Sequence, residues 1–545
     1  MLGTLSLIIL GMHASTGYGA AGPQPLALGP AHELFVDEAG IEKAENLVRR
    51  VVPAVKHKGN PVLVADKPWE LQGVVAFPSV CYDGERKLFR MWYLVYNVWW
   101  SRNSALPTAS APASKPTTTT AATTTSAPAS APATAPASAP APTIPAAARY
   151  YQGKKPPNTI GAVPMADSAF VCYAESADGL KWVKPELGIV EFQDSKKNNI
   201  LFRHRGSHFD SFSVIWRPDW PKPEERYVLI VFVGTWPYDA KKIAERGLKY
   251  GVAAGHYAFM SGDGIRWQPR WDRPVATLSQ AQDRTTWSWD PRRKVFVGNW
   301  KWTEKGCRCR RQADSADLAK WSAPRMVLHP DKHDPPDAQF YGHYVFGHAS
   351  QYLGWLELYR AGPGTIDFQL VSSRDGQNWG RVADRGVFVP RGPKGAFDQT
   401  MILIPGSPPI EHDNKLWVYY EGSKLRHEDR GPERASIGLA HARVDGFVAV
   451  EAGEKEGKLI TKPVVLKTGR LFINAEAAKG SIRVAVTNPD GSPLPGFEVA
   501  KALPVAVDSI TAPVSWQGDP TLPAGKPFRL VFHIRSARLY SYWCQ

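Results

Sequence analysis

The sequence predicts an all-β protein, a five-bladed β-propeller followed by a C-terminal antiparallel β-sandwich. Three observations predict it. A Ser-x-Asp-Gly-x-x-Trp turn recurs along the chain, a strand-turn-strand element precedes the copies, and near Glu451 the pattern changes to strictly alternating strands. A chain of 545 residues exceeds what one hydrophobic core supports, so more than one domain is expected.

Residues 1–21 read as a signal peptide. Leu2 to Met12 is almost wholly apolar but too short to cross a bilayer, and Gly19-Ala20-Ala21 supplies small residues for cleavage, although no Lys or Arg precedes it. A secreted or periplasmic location is expected. The propeller is expected over residues 30–450. Its first blade carries an insertion at 104–148, where Thr108 to Thr143 contains only Ala, Ser, Thr and Pro apart from Lys115. Such a segment buries too little apolar surface to offset its ordering entropy and reads as a disordered loop, open to O-glycosylation. Strand-like runs flank it, Arg90 to Tyr96 and Ala169 to Ala174, so it is an overgrown hairpin loop inside one sheet. Loop length costs little, because closure entropy rises only logarithmically.

With the loop set aside, Ser176-Ala-Asp178-Gly179-Leu-Lys-Trp182 recurs as Ser261-Gly-Asp263-Gly264-Ile-Arg-Trp267, Ser315-Ala-Asp317-Leu-Ala-Lys-Trp321 and Ser373-Arg-Asp375-Gly376-Gln-Asn-Trp379. Asp445-Gly446-Phe447 is a degenerate fifth copy. Asp-Gly marks a tight turn, where Gly supplies the positive φ, and the following Trp can pack between neighbouring sheets. Preceding elements such as Phe77 to Tyr93, Phe212 to Phe232, Thr286 to Val297 and Met401 to Tyr420 read as strand, turn, strand. Repeating four-stranded units of this kind indicate propeller blades. Residues 451–545 alternate in Arg470 to Asn474, Ser481 to Val486 and Phe528 to Ile534, with turns at Asn488 to Gly491 and Pro493 to Gly496, as in a β-sandwich.

Composition bounds the partners. Twenty Trp favour stacked β-structure and sugar binding alike. The net charge of +15 is scattered, with no basic run or helix. It suits an acidic polysaccharide but requires no electrostatic role, and neither nucleic acid nor membrane is expected as a partner. The chain is expected to be a monomer acting on carbohydrate. Cys81, Cys172, Cys307, Cys309 and Cys544 have no zinc spacing. Cys81 and Cys172 lie in apolar strands and read as core, a bridge between them remaining open. No nucleotide loop, metal-ligand cluster or serine-protease arrangement is present, so no cofactor is expected, with a structural Ca²⁺ on the axis left open.

The first strand of each blade lines a propeller's axis. Asp210, Asp283, Asp337 and Asp398 each precede such a strand by a few residues in blades two to five. Glu70 does so in blade one, and Asp37 lies in the arm before it. Glycoside hydrolysis needs two carboxyls, and crowding acids on one axis raises the pKa of at least one of them. The competing reading is that an Asp at a strand start caps loop amides. His208 and His343 flank the candidate acids, as binders of sugar hydroxyls or as surface residues, Trp287 and Tyr341 could stack on a sugar face or equally pack within the inner blade, and Arg284 and Arg391 could hold an anionic group.

Leu34-Phe-Val-Asp-Glu38, Gly59-Asn-Pro-Val-Leu63, Ser176 to Gly188, Asn198-Asn-Ile200, Trp289-Asp-Pro291 and Leu459-Ile-Thr-Lys-Pro463 together give the chain a resemblance to the five-bladed propeller glycosidases, broadly glycoside hydrolase families 32, 43 and 68. It is similar more closely to secreted family 32-like bacterial proteins, frequent in planctomycetes. The resemblance covers nearly everything but the insertion and implies a propeller with a sandwich. The Asn-Asp-Pro, Arg-Asp-Pro and Glu-Cys boxes of family 32 are not present as such, and Asp290-Pro291 reads as a turn. By blade position the resemblance implies that Asp210 stabilises the transition state and Asp283 is the general acid, where the family has Glu. The family's first-blade nucleophile has no clear counterpart, so Glu70, Asp37 or Asp337 would serve.

Two classes follow: a glycoside hydrolase working through axial carboxylates, or a non-catalytic carbohydrate-binding propeller. A sialidase fits less well, since its Asp boxes carry an extra residue between Asp and Gly and six blades are usual. Two axial carboxyls about 5–10 Å apart favour an enzyme, and acids all engaged in salt bridges favour a scaffold.

Overall fold

The computed structural model describes residues 25–70, 74–96, 169–204, 208–234, 255–276, 284–429, 435–466 and 469–545. The signal-peptide reading at 1–21, the insertion at 104–148 and Asp283 fall outside the described residues.

Three separate four-stranded antiparallel sheets follow one another. Blade one is Val74–Asp83, Leu88–Tyr96, Ala169–Ser176 and Ile200–His204. Blade two is His208–Trp216, Tyr227–Gly234, Gly255–Ser261 and Gln268–Pro269. Blade three is Thr286–Asp290, Val295–Glu304, Cys307–Ser315 and Arg325–Leu328. Blade four is Ala338–His348, Gln351–Arg360 and Thr365–Ser373, with Gly380–Arg381 and Val387–Val389 sharing the outer position. Blade five takes Met401–Leu403, Lys415–Ser423 and Ser436–Arg443 from its own stretch. Its outer strand is Val55–Lys56, paired with Ala440 and His441, so the N-terminal arm closes the ring.

The arm also reaches the second domain. One sandwich sheet orders Asp508–Pro513, Leu471–Glu476, Ala537–Cys544, Val448–Ala452 and Val48–Val51, with Glu33–Leu34 on Ala537–Cys544. The other orders Ile41–Glu45, Gly457–Thr461, Arg529–Arg535 and Ser481–Thr487. Residues 33–51 therefore pair within the sandwich, not within a propeller running from 30 to 450. Ile41–Glu45 has no fully buried position, and a strand without an apolar face gives no sequence signal of its partner.

The repeated turns form as their chemistry requires. In each of four copies the Asp Oδ1 accepts the backbone N–H groups two and three residues on, as Asp263 does from Ile265 at 2.8 Å and Arg266 at 2.7 Å. The Ser two residues earlier donates to the same oxygen. Gly264, at φ +72°, comes so near the previous blade that a Cβ would sit 2.7 Å from Trp92, whose Nε1 donates to the Gly264 carbonyl at 2.8 Å. Of the repeat tryptophans, Trp267 is fully buried, while Trp182, Trp321 and Trp379 are half-buried. Cys81 and Cys172 are free thiols.

The inner strands of successive blades converge on the axis without pairing as ladders, so some of their amides need other acceptors. Hydroxyls supply them. Val80 N donates to Ser407 Oγ at 3.0 Å, Val214 N to Ser79 Oγ at 3.0 Å, and Trp287 N to Ser213 Oγ at 3.1 Å. At the next junction Thr286 Oγ1 donates to the His343 carbonyl. Each link joins one blade to the next. Ser213→Ala leaves the buried Trp287 amide unsatisfied and is expected to cost about 1–3 kcal/mol in a urea titration. A midpoint equal to that of the unaltered chain would show that the link carries no stability.

Candidate active site

Each inner strand enters from one end of the axis, and the turns after the first and third strands lie at the other. At the first end the backbone is strained in three consecutive blades. Phe77, Ser211 and Arg284 have φ of +52°, +52° and +51°. They follow Ala76, Asp210 and, in the sequence, Asp283. Register shifts between Ala76 and Ser79 and between Asp210 and Ser213 mark β-bulges there, and blade four has one between Phe340 and Gly342. Non-glycine residues in this region cost roughly 1–3 kcal/mol each, and such strain clusters where a side chain must be re-aimed.

Groups from four blades meet at this level, which only the axis allows. Arg284 of blade three, 1% exposed, pairs with the fully buried Glu357 of blade four. Its Nε donates to Glu357 Oε2 at 2.9 Å and its Nη2 to Oε1. The guanidinium lies 4.3 Å from the ring centre of Phe77 in blade one, and Ile404 N of blade five donates to Glu357 Oε1 at 2.8 Å. Glu421, also buried, reaches from blade five to accept Phe77 N at 3.1 Å. A Cβ on Gly342 would lie 2.2 Å from Glu357 Oε2, so glycine leaves that carboxylate its place. Glu357 and Glu421 were missed as site residues. Their signal is a lone acid inside an apolar second strand, Trp-Leu-Glu357-Leu-Tyr and Val-Tyr-Tyr-Glu421.

The residues proposed from sequence divide. Asp210 falls at the strained level of blade two, opposite Phe232. His208 starts the same strand, opposite Gly234. Asp283 lies outside the described residues, next in sequence to Arg284. Tyr341 occupies the blade-four bulge at the mouth, beside Arg284 and Tyr359.

The others are structural. Asp337 lies three residues before the level of Phe340 on the rim, where it accepts Gly362 N at 3.0 Å and Arg360 Nε at 2.6 Å. These two contacts hold its carboxyl below its ordinary pKa, which suits an anchor and not a proton donor. Glu70 is fully buried, bonded to Lys184 Nζ and Tyr93 OH, both at 2.6 Å. Asp398 repeats that arrangement in blade five with Lys56 Nζ at 2.5 Å and Tyr420 OH at 2.7 Å, clamping the closing strand. Asp37 sits at the far end, where Arg374 holds it by two bonds of 2.7 Å. Burial opposes its ionisation, but Arg374 outweighs burial and lowers its pKa.

Trp287 is fully buried against Trp300 and Trp321 between blades two and three, so no sugar can stack on it. His343 is buried against Trp379 between blades three and four, where burial drives its imidazole well below its usual pKa. Arg391 is paired with Asp367 at 2.7 Å. Asp290 accepts Arg292 N at 2.9 Å in the turn that its Asp-Pro sequence implies. Among the described residues no group of three or more His, Cys, Asp or Glu side chains is arranged to hold a metal ion.

The degenerate fifth turn has become a latch between the domains. Asp445 accepts His32 Nδ1 at 2.6 Å, His348 Nε2 at 2.8 Å and Ser541 Oγ at 2.7 Å. Burial opposes its ionisation, but the bonds from His32 and His348 prevail and keep the carboxylate charged far below the ordinary range.

No family model matches the chain, and no curated protein matches it. The Bombyx mori GH32 β-fructofuranosidase is 8% identical over 91% of this chain and 94% of its own, with a TM-score of 0.40. A thermostable family-43 glycoside hydrolase is 9% identical over 70% of this chain and 93% of its own, with a TM-score of 0.38. A structure of the GH130 family of mannoside phosphorylases and glycoside hydrolases is 10% identical over 72% and 94%, with a TM-score of 0.40. These neighbours of the chain are glycoside hydrolases of propeller type.

Proposed function

We propose that this protein is an exported enzyme that hydrolyses a glycosidic bond of an oligo- or polysaccharide at the strained end of the propeller axis. The observation that carries the reading is the run of three left-handed residues at one level in blades one to three, two of them directly after an aspartate. Asp283 is the proton donor and Asp210 the carboxylate that stabilises positive charge on the sugar. Blade one has Ala76 where a third acid would stand, and Glu421 brings a carboxylate to that place from blade five. It is the group that would activate water or attack the sugar. The narrower kinship with secreted family 32-like proteins belongs to the same proposal.

A second reading, carbohydrate binding without hydrolysis, is favoured by one observation. Glu70, Asp337, Asp398 and Asp37 are each engaged with a Lys or Arg. Incubating the purified chain with a polysaccharide panel, with release of reducing ends as the readout, separates the two. Turnover of any member supports the hydrolase. Retention on a polysaccharide column without release of reducing ends selects the binding protein.

A further inference from the structure

We propose, resting on the saccharide reading above, that the axial mouth selects a sugar bearing an oxyanion, held by Arg284 and Arg308 beside Tyr341. Three cations of blade three surround that one ring. Arg284 Cζ lies 5.9 Å, Arg308 Cζ 5.6 Å and Lys301 Nζ 5.9 Å from its centre. Glu357 takes only Nε and Nη2 of Arg284. Nη1 of this buried guanidinium has no hydrogen-bond partner among the described residues. A buried donor left unmade is costly, and an oxyanion is the partner that satisfies it best.

Arg308 stands out on the rim. Arg360, Arg391 and Arg426 each carry their own acid, Asp337 at 2.6 Å, Asp367 at 2.7 Å and Asp429 at 2.9 Å. Arg308 instead donates from Nη1 to the neutral Gln339 Oε1 at 2.9 Å, and it has no acid partner among the described residues. A carboxylate of a uronic acid and a sulfate ester share the chemistry this pair recognises.

The test uses the intact chain and matched ligand pairs in titration calorimetry at low salt: oligogalacturonate with its methyl ester, oligoalginate with its ester, and a sulfated galactan oligosaccharide with its desulfated form. The acidic member of at least one pair is expected to bind roughly tenfold or more tightly than its neutral partner. Preference within a uronate pair identifies a carboxylate, and preference within the sulfated pair identifies a sulfate. Arg308→Gln abolishes the preference and Arg308→Lys restores part of it, both with an unchanged thermal midpoint. Equal binding within every pair, or a preference that survives Arg308→Gln, overturns the inference while leaving the saccharide reading intact. Failure to bind any saccharide, acidic or neutral, removes both.

Discussion

Asp283→Asn lowers turnover of the saccharide substrate by roughly 10²–10⁴-fold, the usual contribution of a positioned general acid. The substitution keeps the shape of the side chain and removes its transferable proton, so the urea midpoint stays where it was. The residue after it is anchored. Arg284 is held by Glu357, packed on Phe77 and confined to a left-handed backbone, which leaves the chain little freedom at this point. Asp337→Asn is the control. That carboxylate is tied to Arg360 and Gly362 on the rim, and its replacement leaves turnover within about twofold, since a rim contact of this kind contributes about 1 kcal/mol or less. A variant at Asp283 that hydrolyses at the parent rate, or a control that loses as much as Asp283→Asn, overturns the assignment.

Glu357→Gln destabilises the chain by about 3–5 kcal/mol, because it leaves the Arg284 guanidinium charged, buried and unpaired. The coupling is testable in a cycle. Glu357→Leu combined with Arg284→Met removes both charges, and replacing a buried pair with apolar groups is often close to neutral. The double variant is therefore expected to recover most of the loss in a urea titration. It should not recover the preference for an acidic saccharide, because Nη1 goes with the arginine. A double variant as unstable as the single one would show that packing around Glu357, not its charge, is what holds the axis together.

The blades were legible because their turns have a chemical requirement. An Asp carboxylate facing two amides makes that turn, and the sequence repeats it four times, three with Gly at the positive-φ position and once with Leu318 at φ +66°. The direction of the strand-start acids was not legible. Sequence locates Glu70 and Asp398 before a strand, but whether the carboxylate points to the axis or away depends on a Lys contributed by a distant segment, Lys184 or Lys56. The bulges hide the rest. The inserted residue at Tyr341 reverses which side chains face the axis, so His343, read along an ideal strand as facing the sugar, lies between blades, and Trp287 lies there too although its own strand has no register shift. Glu357 and Glu421 could have been found, since an acid amid buried aromatic and aliphatic neighbours needs a partner to be there at all.

The arm that closes blade five and completes both sandwich sheets also sets the order in which the molecule can be assembled. Glu33–Leu34 pairs with Ala537–Cys544, and Cys544 N donates to Gly29 O at 3.0 Å, so segments far apart in sequence lie side by side. A ribosome makes the arm long before its partners. While the blades emerge one by one, the arm waits without a sheet to join. The ring can close once Ser436–Arg443 meets the waiting Val55–Lys56, but the sandwich cannot lock until Ala537–Cys544 arrives. The propeller is in effect a long insertion within the sandwich. Until their partners emerge, the arm strands Glu33–Leu34 and Val48–Val51 keep unpaired edges, and open edges invite pairing with other chains.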